Sequence, residues 1–233
     1  MIYYTGDTHG QFGRLIDAIE NNIIEDNSII VILGDVGLNY YGNNNGDRIR
    51  KSDLNAMIEC HNIILFCIHG NYEMRPESIN SYITRTWHDG VVYYEPEFPN
   101  LLFAQDGEIY DLNGRKSIVI GGAYSVDKFY RLRNFVPWFK DEQPSDEIKN
   151  KIEAKLEEHD WIIDQVLTHT CPYAYMPTDM FLDGIDQSTV DQSTEKWLNS
   201  LELKLKYTRW LCGHWHTDRT VDRIGFLYHN ITL

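Results

Sequence analysis

Long apolar segments are absent from this sequence of 233 residues. The longest apolar run extends over residues 63–68, whereas a helix that crosses a bilayer needs about 20 consecutive apolar residues. The amino terminus also lacks the basic stretch and the apolar stretch of a secretory signal. We therefore expect a cytoplasmic protein that does not enter a membrane.

Cysteine is scarce, and no two cysteines have the C-x-x-C spacing of a redox or zinc motif. The chain has four of them, at Cys60, Cys67, Cys171 and Cys212. Three lie within or beside apolar runs that resemble strands. We therefore expect buried thiols.

Positive charge is scarce as well, since 21 Lys and Arg residues stand against 35 Asp and Glu residues and the formal net charge is −14. Two bound divalent cations would still leave the chain strongly acidic. Proteins bind a long nucleic-acid duplex mainly through Lys and Arg, so such a duplex is a poor partner for most of this surface. A short nucleotide is compatible with this charge.

The remaining composition is typical of a folded protein, with 42% hydrophobic and 13% aromatic residues. The length allows one large core, so we expect a single domain over residues 1–233. Apolar residues recur with helical spacing at Phe12, Leu15, Ile16 and Ile19, directly after a β-prone run at residues 2–5. This succession of strand and amphipathic helix predicts an α/β fold with a mostly parallel sheet.

Further short apolar runs predict the other strands. They cover residues 28–33, 62–69, 91–94, 101–104, 108–112, 116–120, 161–167 and 207–212, followed by a hairpin of 220–224 and 226–231 about Gly225. Residues 38–48 are predicted to form a polar loop, before a helix around residues 54–58. Other helices are expected after the capping residue Ser145 and around Trp197.

Polar side chains follow five of these strands directly. They are Asp7 and His9, Asp35, Asn71, His169, and the pair His214 and His216. Each has a plain explanation by itself, because Asp and Asn are common in turns and a histidine can be a core residue. All of them nevertheless lie at carboxyl ends of strands, which in a mostly parallel sheet meet at the edge where ligands bind.

The types of these side chains indicate a metal site. Two Asp, one Asn and four His residues offer oxygen and nitrogen but no thiolate, which suits Mn²⁺, Fe or Zn²⁺ rather than a structural zinc site made of cysteines. Seven ligands are too many for one catalytic ion that keeps a position open. They suit two ions that share one carboxylate.

These motifs, in this order, resemble those of the calcineurin-like metallophosphoesterase family, and the resemblance spans nearly the whole chain. The family's D-x-H, G-D, G-N-H-E, H and G-H-x-H motifs are matched by Asp7 and His9, Asp35, Asn71, His169, and His214 and His216. The resemblance implies a layered α/β/β/α sandwich with two central mixed sheets. It also implies that one metal is held by Asp7, His9, Asp35 and His216, and the other by Asp35, Asn71, His169 and His214.

The activity that the resemblance implies is hydrolysis of a phosphate ester, with a hydroxide that bridges the two metals as the nucleophile. Mn²⁺ is the expected metal. The residues expected to act in catalysis are Asp7, Asp35, Asn71 and Tyr72.

Tyr72 departs from the family's pattern, which usually has His after the Asn. A phenol donates a hydrogen bond but is a poorer proton donor than an imidazolium at neutral pH. Family members without that His resemble phosphodiesterases, so we expect a phosphodiester substrate. The alternatives are a phosphomonoesterase that acts on phosphoproteins or nucleotides, and a metal-binding module of the same fold that has lost catalysis.

Four basic residues are candidates for contacts with the substrate: Arg75, Lys128, Arg131 and Arg133. The last three form a cluster that has two interpretations. It is either a solvated loop partly paired with Asp127 or a clamp for the substrate phosphate.

Overall fold

The computed structural model describes residues 1–42, 44–181, 183–184 and 186–233. In this part of the chain, twelve strands form two six-stranded sheets that are accompanied by five α-helices. In chain order these elements are β1 (Ile2–Thr5), α1 (Gly13–Glu20), β2 (Ile29–Ile32), α2 (Asn45–Cys60), β3 (Ile64–Cys67), β4 (Ile83–Trp87), β5 (Gly90–Glu95), β6 (Phe98–Ala104), β7 (Ile109–Asp111), β8 (Lys116–Ile120), α3 (Lys128–Asn134), α4 (Asp146–Glu158), β9 (Gln165–Thr168), α5 (Ser193–Glu202), β10 (Arg209–Cys212), β11 (Arg219–Val221) and β12 (Ile224–Phe226).

Both sheets are mixed, with a parallel centre. The first has the order β1-β2-β3-β6-β5-β4, in which β1, β2, β3 and β6 are parallel and β5 and β4 continue as an antiparallel meander. The second has the order β11-β12-β10-β9-β8-β7, in which the four central strands are parallel and both outer strands are antiparallel. The carboxyl ends of the parallel strands therefore lie at one edge of each sheet.

Alternate residues of the central strands pack into different layers of the core, because successive side chains of a strand point to opposite faces. Along β2, Ile30 and Ile32 cluster with residues of α1 and α2, whereas Val31 packs against the second sheet. Along β9, Val166 clusters with residues of α4 and α5, whereas Leu167 faces the first sheet. The predicted α/β/β/α sandwich with two central mixed sheets is confirmed.

Two helices differ from the prediction. The helix α2 begins at Asn45, inside the predicted polar loop, because the side chain of Asn44 accepts hydrogen bonds from the N–H groups of Gly46 and Asp47 and caps the helix. The helix α3 replaces the loop predicted for the basic cluster. Most of its apolar side chains are exposed, so no buried stripe marks it in the sequence. The predicted cap of α4 is confirmed, since Ser145 accepts from the N–H of Ile148.

Two strand assignments were also incomplete. The strand β4 was not predicted because it is a largely exposed edge strand without alternating burial. The terminal hairpin turns at Asp222 and Arg223, and Gly225 lies within β12, paired with Leu211 and Thr220. The prediction of a turn about Gly225 was therefore wrong, because its missing side chain serves close packing against Leu211 instead.

The expectation of buried thiols is correct for Cys67, Cys171 and Cys212, and wrong for Cys60. Cys60 is exposed because it is the last residue of α2 and faces solvent. Among the described residues, no helix is both long enough and apolar enough to cross a membrane.

The core between the sheets should depend strongly on Leu167, which is fully buried. We expect Leu167→Ala to lower the free energy of unfolding by about 2–5 kcal/mol, because it removes apolar contacts and leaves a cavity. The matched control is Leu203→Ala, since Leu203 is 78% exposed and its truncation should change stability by less than about 0.5 kcal/mol. Urea unfolding measures both variants, and equal losses would contradict the assignment of this layer.

Candidate metal centre

The structure brings the seven predicted ligands together in the loops that follow β1, β2, β3, β9 and β10. Backbone hydrogen bonds join these loops within each sheet. In the first sheet the N–H of His9 donates to the carbonyl of Asp35 over 2.8 Å, and in the second the N–H of Gly213 donates to the carbonyl of His169 over 2.9 Å. The ligands are therefore carried by a rigid edge rather than by independent loops.

The first group of ligands consists of Asp7, His9 and His216. The Nε2 atoms of His9 and His216 lie 3.1 Å apart. Oδ2 of Asp7 lies 3.3 Å from Nε2 of His216 and 3.8 Å from Nε2 of His9. Two imidazoles and a carboxylate thus point their ligand atoms at one small volume.

The Asp7 carboxylate gives a direct test of whether this group fits a cation. Its Oδ1 accepts a hydrogen bond from the N–H of His214 over 2.9 Å. Its Oδ2 is buried and has no hydrogen-bond partner among the residues that the structure describes. A buried carboxylate oxygen without a donor is costly, and a cation held beside it removes that cost. The residues of this group therefore fit a metal ion.

The second group is built around His169. Its Nδ1 lies 2.8 Å from the carbonyl oxygen of Leu33, and because a carbonyl only accepts, Nδ1 carries the proton. The lone pair of Nε2 consequently faces Oδ1 of Asn71 at 2.9 Å and Oδ1 of Asp35 at 3.6 Å. The ring of His214 lies against that of His169, with the centroids 4.9 Å apart.

The orientation of the Asn71 amide is fixed by hydrogen bonds through Ser125 to Glu142. Ser125 donates its hydroxyl hydrogen to Glu142 over 2.6 Å, so its oxygen accepts from Nδ2 of Asn71 over 3.0 Å. Oδ1 of Asn71 is thereby turned toward the acceptor nitrogen of His169. Two acceptors that face each other at this distance are unfavourable alone but suit a shared cation. Sequence reasoning missed Ser125 and Glu142, because no motif marks residues that act only through another side chain.

Asp35 lies between the two groups. Its Oδ2 is 4.0 Å from Nδ1 of His9, and its Oδ1 is 3.6 Å from Nε2 of His169. The N–H of Tyr72 also donates to Oδ1 over 2.7 Å, which fixes the carboxylate. Asp7 is within reach of Asp35 and His169 as well. Asp7 therefore belongs to both groups of ligand atoms, and Asp35 lies between His9 and His169.

Burial and neighbouring charges set the protonation of these ligands. Burial raises the pKa of Asp7, but His216 and the other nearby imidazoles together lower it by more than burial raises it. The pKa of Asp7 therefore falls below its usual range. Burial raises the pKa of Asp35. Burial also lowers the pKa of His214 to about 3, whereas the adjacent Asp7 carboxylate raises the pKa of His216. His214 is therefore neutral at pH 7 and keeps a lone pair for a metal.

Four of the predicted ligands have a left-handed backbone, which is uncommon for residues other than glycine. The φ angles are 47° at His9, 47° at Asp35, 65° at His214 and 46° at His216. Such strain persists only where surrounding contacts hold it, and it is concentrated at functional sites. Sequence reasoning predicted that these residues converge but not that the backbone is strained there.

Glu73 holds the turn that carries Asp35, a role that was not predicted from the sequence. Its two carboxylate oxygens accept from the N–H groups of Val36 and Gly37, each over 3.2 Å. Burial, together with the charge of Asp35, raises the pKa of Glu73 to about 8. The side chain is completely buried and does not line the pocket, so it acts by holding the backbone after Asp35 in place.

Tyr72 lies beside the first group of ligands. Its ring meets the edge of His9 at a centroid distance of 5.2 Å and stacks on Tyr40 at 4.8 Å. The guanidinium of Arg131 lies over the same ring at 4.0 Å. The position of the phenol is therefore fixed by three neighbours.

The four predicted substrate contacts lie in different environments. Arg75 is buried, donates to Oδ2 of Asp106 over 2.6 Å and to the carbonyl of Asp141 over 2.8 Å, and supports the loop after β3. Lys128 lies over the ring of Trp138 at 4.3 Å, and Arg133 is exposed on α3. Neither residue lines the pocket at the metal centre, whereas Arg131 does.

Arg131 combines both interpretations of the basic cluster. Its Nε donates to Oδ1 of Asp127 over 2.8 Å, which is the pairing that the interpretation as a solvated loop predicts. Its guanidinium nevertheless borders the pocket and holds Tyr72. The pairing lies on a helix rather than in a solvated loop, which corrects the prediction of a loop.

Comparison with known proteins agrees with this geometry. A family model described as calcineurin-like phosphoesterase matches residues 1–218. A search of curated proteins gives no significant match.

The support of Asn71 by Ser125 should be measurable as metal affinity. We expect Ser125→Ala to weaken Mn²⁺ binding by about tenfold, because residues that orient a metal ligand typically contribute 10–100-fold in affinity. The control is Ser117→Ala, since Ser117 is equally buried but bonds only to the Arg115 carbonyl in the second sheet. Titration calorimetry measures both variants, and an unchanged affinity in Ser125→Ala would show that Asn71 needs no such support.

Proposed function

As a member of the calcineurin-like phosphoesterase family, the chain is a metal-dependent phosphoester hydrolase, and we propose that its substrate is a phosphodiester. We further propose that two divalent ions, Mn²⁺ in the first place, bind at the centre. Asp7, His9, Asp35 and His216 would hold one ion, and Asp35, Asn71, His169 and His214 the other. The observation that supports this proposal most directly is the position of the Asp35 carboxylate between the two groups, with Oδ2 at 4.0 Å from Nδ1 of His9 and Oδ1 at 3.6 Å from Nε2 of His169.

The protein supplies position and shape to this reaction. When bound, divalent ions supply a hydroxide nucleophile at neutral pH and positive charge that stabilises the phosphate in the transition state. The hydrogen bond from His169 to Leu33 fixes the tautomer of that imidazole, and Ser125 fixes the orientation of Asn71. Tyr72 borders the pocket and would orient the phosphate through its hydroxyl group.

The surroundings of the pocket favour a phosphodiester, which carries one negative charge, over a monoester, which carries up to two. Among the described residues that line the pocket, Arg131 is the one Lys or Arg, and its Nε is already paired with Asp127. The phenol of Tyr72 is also a weak acid for protonating a departing oxygen. A phosphodiester with a good leaving group needs less positive charge around the phosphate and less protonation of the departing oxygen.

The first test of this proposal is Asp35→Asn in the presence of Mn²⁺. We expect hydrolysis of bis(p-nitrophenyl) phosphate to fall by at least about 100-fold, because a neutral amide replaces the carboxylate that lies between the two groups and is proposed to hold both ions. The control is Asp53→Asn, an exposed residue of α2 that should leave the rate unchanged. Full activity in Asp35→Asn would contradict the proposal of a shared carboxylate.

The second test concerns Tyr72 and the choice of ester. The wild-type protein should hydrolyse bis(p-nitrophenyl) phosphate faster than p-nitrophenyl phosphate at equal Mn²⁺ concentration. We expect Tyr72→His to raise the rate on the monoester relative to the diester by at least about tenfold, because imidazolium is a better proton donor at pH 7.

A wild-type preference for the monoester would reverse the proposed substrate class. Metal binding without turnover of either ester would favour a non-catalytic module.

A further inference from the structure

A cavity of about 390 Å³ opens onto the metal centre. Its lining includes predicted ligands, among them His9, Asp35 and His214, and the polar side chains of Tyr72, Asp127, Arg131 and Gln187. It also includes six apolar side chains, here called the apolar wall: Val126, Met176, Met180, Phe181, Val190 and Trp215. The volume is within the range of about 300–1,000 Å³ that is typical of pockets for small ligands. The metal centre thus borders an apolar surface that binding of the phosphate group alone does not require.

The apolar wall starts directly at the ligands. Trp215 lies between His214 and His216 in the chain, and its ring meets that of His214 edge to face at a centroid distance of 5.2 Å. The ring of Phe181 stacks on Trp215 at 5.9 Å with an interplanar angle of 21°. Two nearly parallel rings therefore extend from the metal centre into the cavity.

The segment that carries Met176, Met180 and Phe181 is anchored to the fold. It contains single turns of 3₁₀ helix at Tyr173–Tyr175 and Thr178–Met180. Arg219 of β11 donates two hydrogen bonds to Asp179, over 2.8 and 2.9 Å. This paired contact holds Met180 and Phe181 beside Trp215.

The chemistry of the apolar wall selects among ester groups. A sugar, an inositol or a charged peptide would lose hydration against the wall without gaining hydrogen bonds from it, because five of the six side chains have no N–H or O–H group and the indole N–H of Trp215 is buried. An aromatic ring gains by burial of apolar area, by stacking on flat side chains and by contact with methionine sulfur. The stacked pair of Trp215 and Phe181 favours a flat group over an alkyl chain.

We propose that this cavity binds an aromatic ester group of the substrate, as in aryl or nucleoside phosphodiesters, and that Phe181 determines this specificity. The proposal rests on the proposed phosphoesterase function, because the phosphate must lie at the metal centre for its ester group to reach the wall. It assigns substrate selection to the segment before α5 rather than to the basic residues of α3.

The test compares the binding of two phosphonates that share a head group and resist hydrolysis. Titration calorimetry on the Mn²⁺-loaded protein should show that phenylphosphonate binds about tenfold more tightly than methylphosphonate, since burial of a ring is worth at least that factor. Phe181→Ala should remove most of this difference and leave methylphosphonate binding unchanged. Phe181→Tyr keeps the ring and should keep the difference.

The matched control is Phe129→Ala, because Phe129 is 60% exposed on α3 and does not line the cavity. Equal affinities for the two phosphonates in the wild-type protein would overturn the proposal. Tighter binding of octylphosphonate than of phenylphosphonate would overturn the assignment to an aromatic group. A nucleoside phosphonate, which also resists hydrolysis, distinguishes a nucleoside from a simple aryl group as the bound group.

This readout is independent of turnover. If the protein discriminated between the phosphonates but hydrolysed no phosphate ester, the proposed reaction would fail and the binding site would stand. If it hydrolysed phosphodiesters without discriminating, the reaction would stand and the aromatic site would fail.

Discussion

The hydrogen bond from His169 to the Leu33 carbonyl joins the two sheets at the edge where all seven predicted ligands lie. It fixes the protonated nitrogen of His169 and turns the other nitrogen toward Asp35 and Asn71. The close approach that it requires leaves no room for a side chain at Gly34, because a Cβ atom there would collide with the imidazole. This one hydrogen bond therefore both connects the two sheets and determines the tautomer of His169.

The chemistry of the centre follows from what this edge buries. Asp7 and Asp35 are nearly inaccessible and close to each other, and neither is paired with Lys or Arg among the described ion pairs. The left-handed backbone at four ligands adds strain to this burial of charge. Bound divalent ions would offset this charge in a chain whose formal net charge is already −14. The fold holds the ligands rigidly, and their buried negative charge favours binding of a cation.

Strand periodicity and the position of motifs after strands predicted an α/β fold with a mostly parallel sheet and the convergence of the ligands. The layered sandwich with two sheets was implied by the family resemblance. The sequence did not predict α3, whose apolar residues are exposed, or β4, an exposed edge strand. The supporting roles of Glu73, Ser125 and Glu142 were missed because they exist only through contacts between distant segments. The apolar wall was missed for the same reason, since Phe181 and Trp215 meet only after folding.

Anomalous X-ray diffraction from crystals of the Mn²⁺-loaded protein tests the central claim most directly. The account predicts two manganese peaks about 4 Å apart on either side of the Asp35 carboxylate, one beside His9 and His216 and the other beside Asn71 and His169. A single peak, or peaks that Asp35 does not contact, would contradict it.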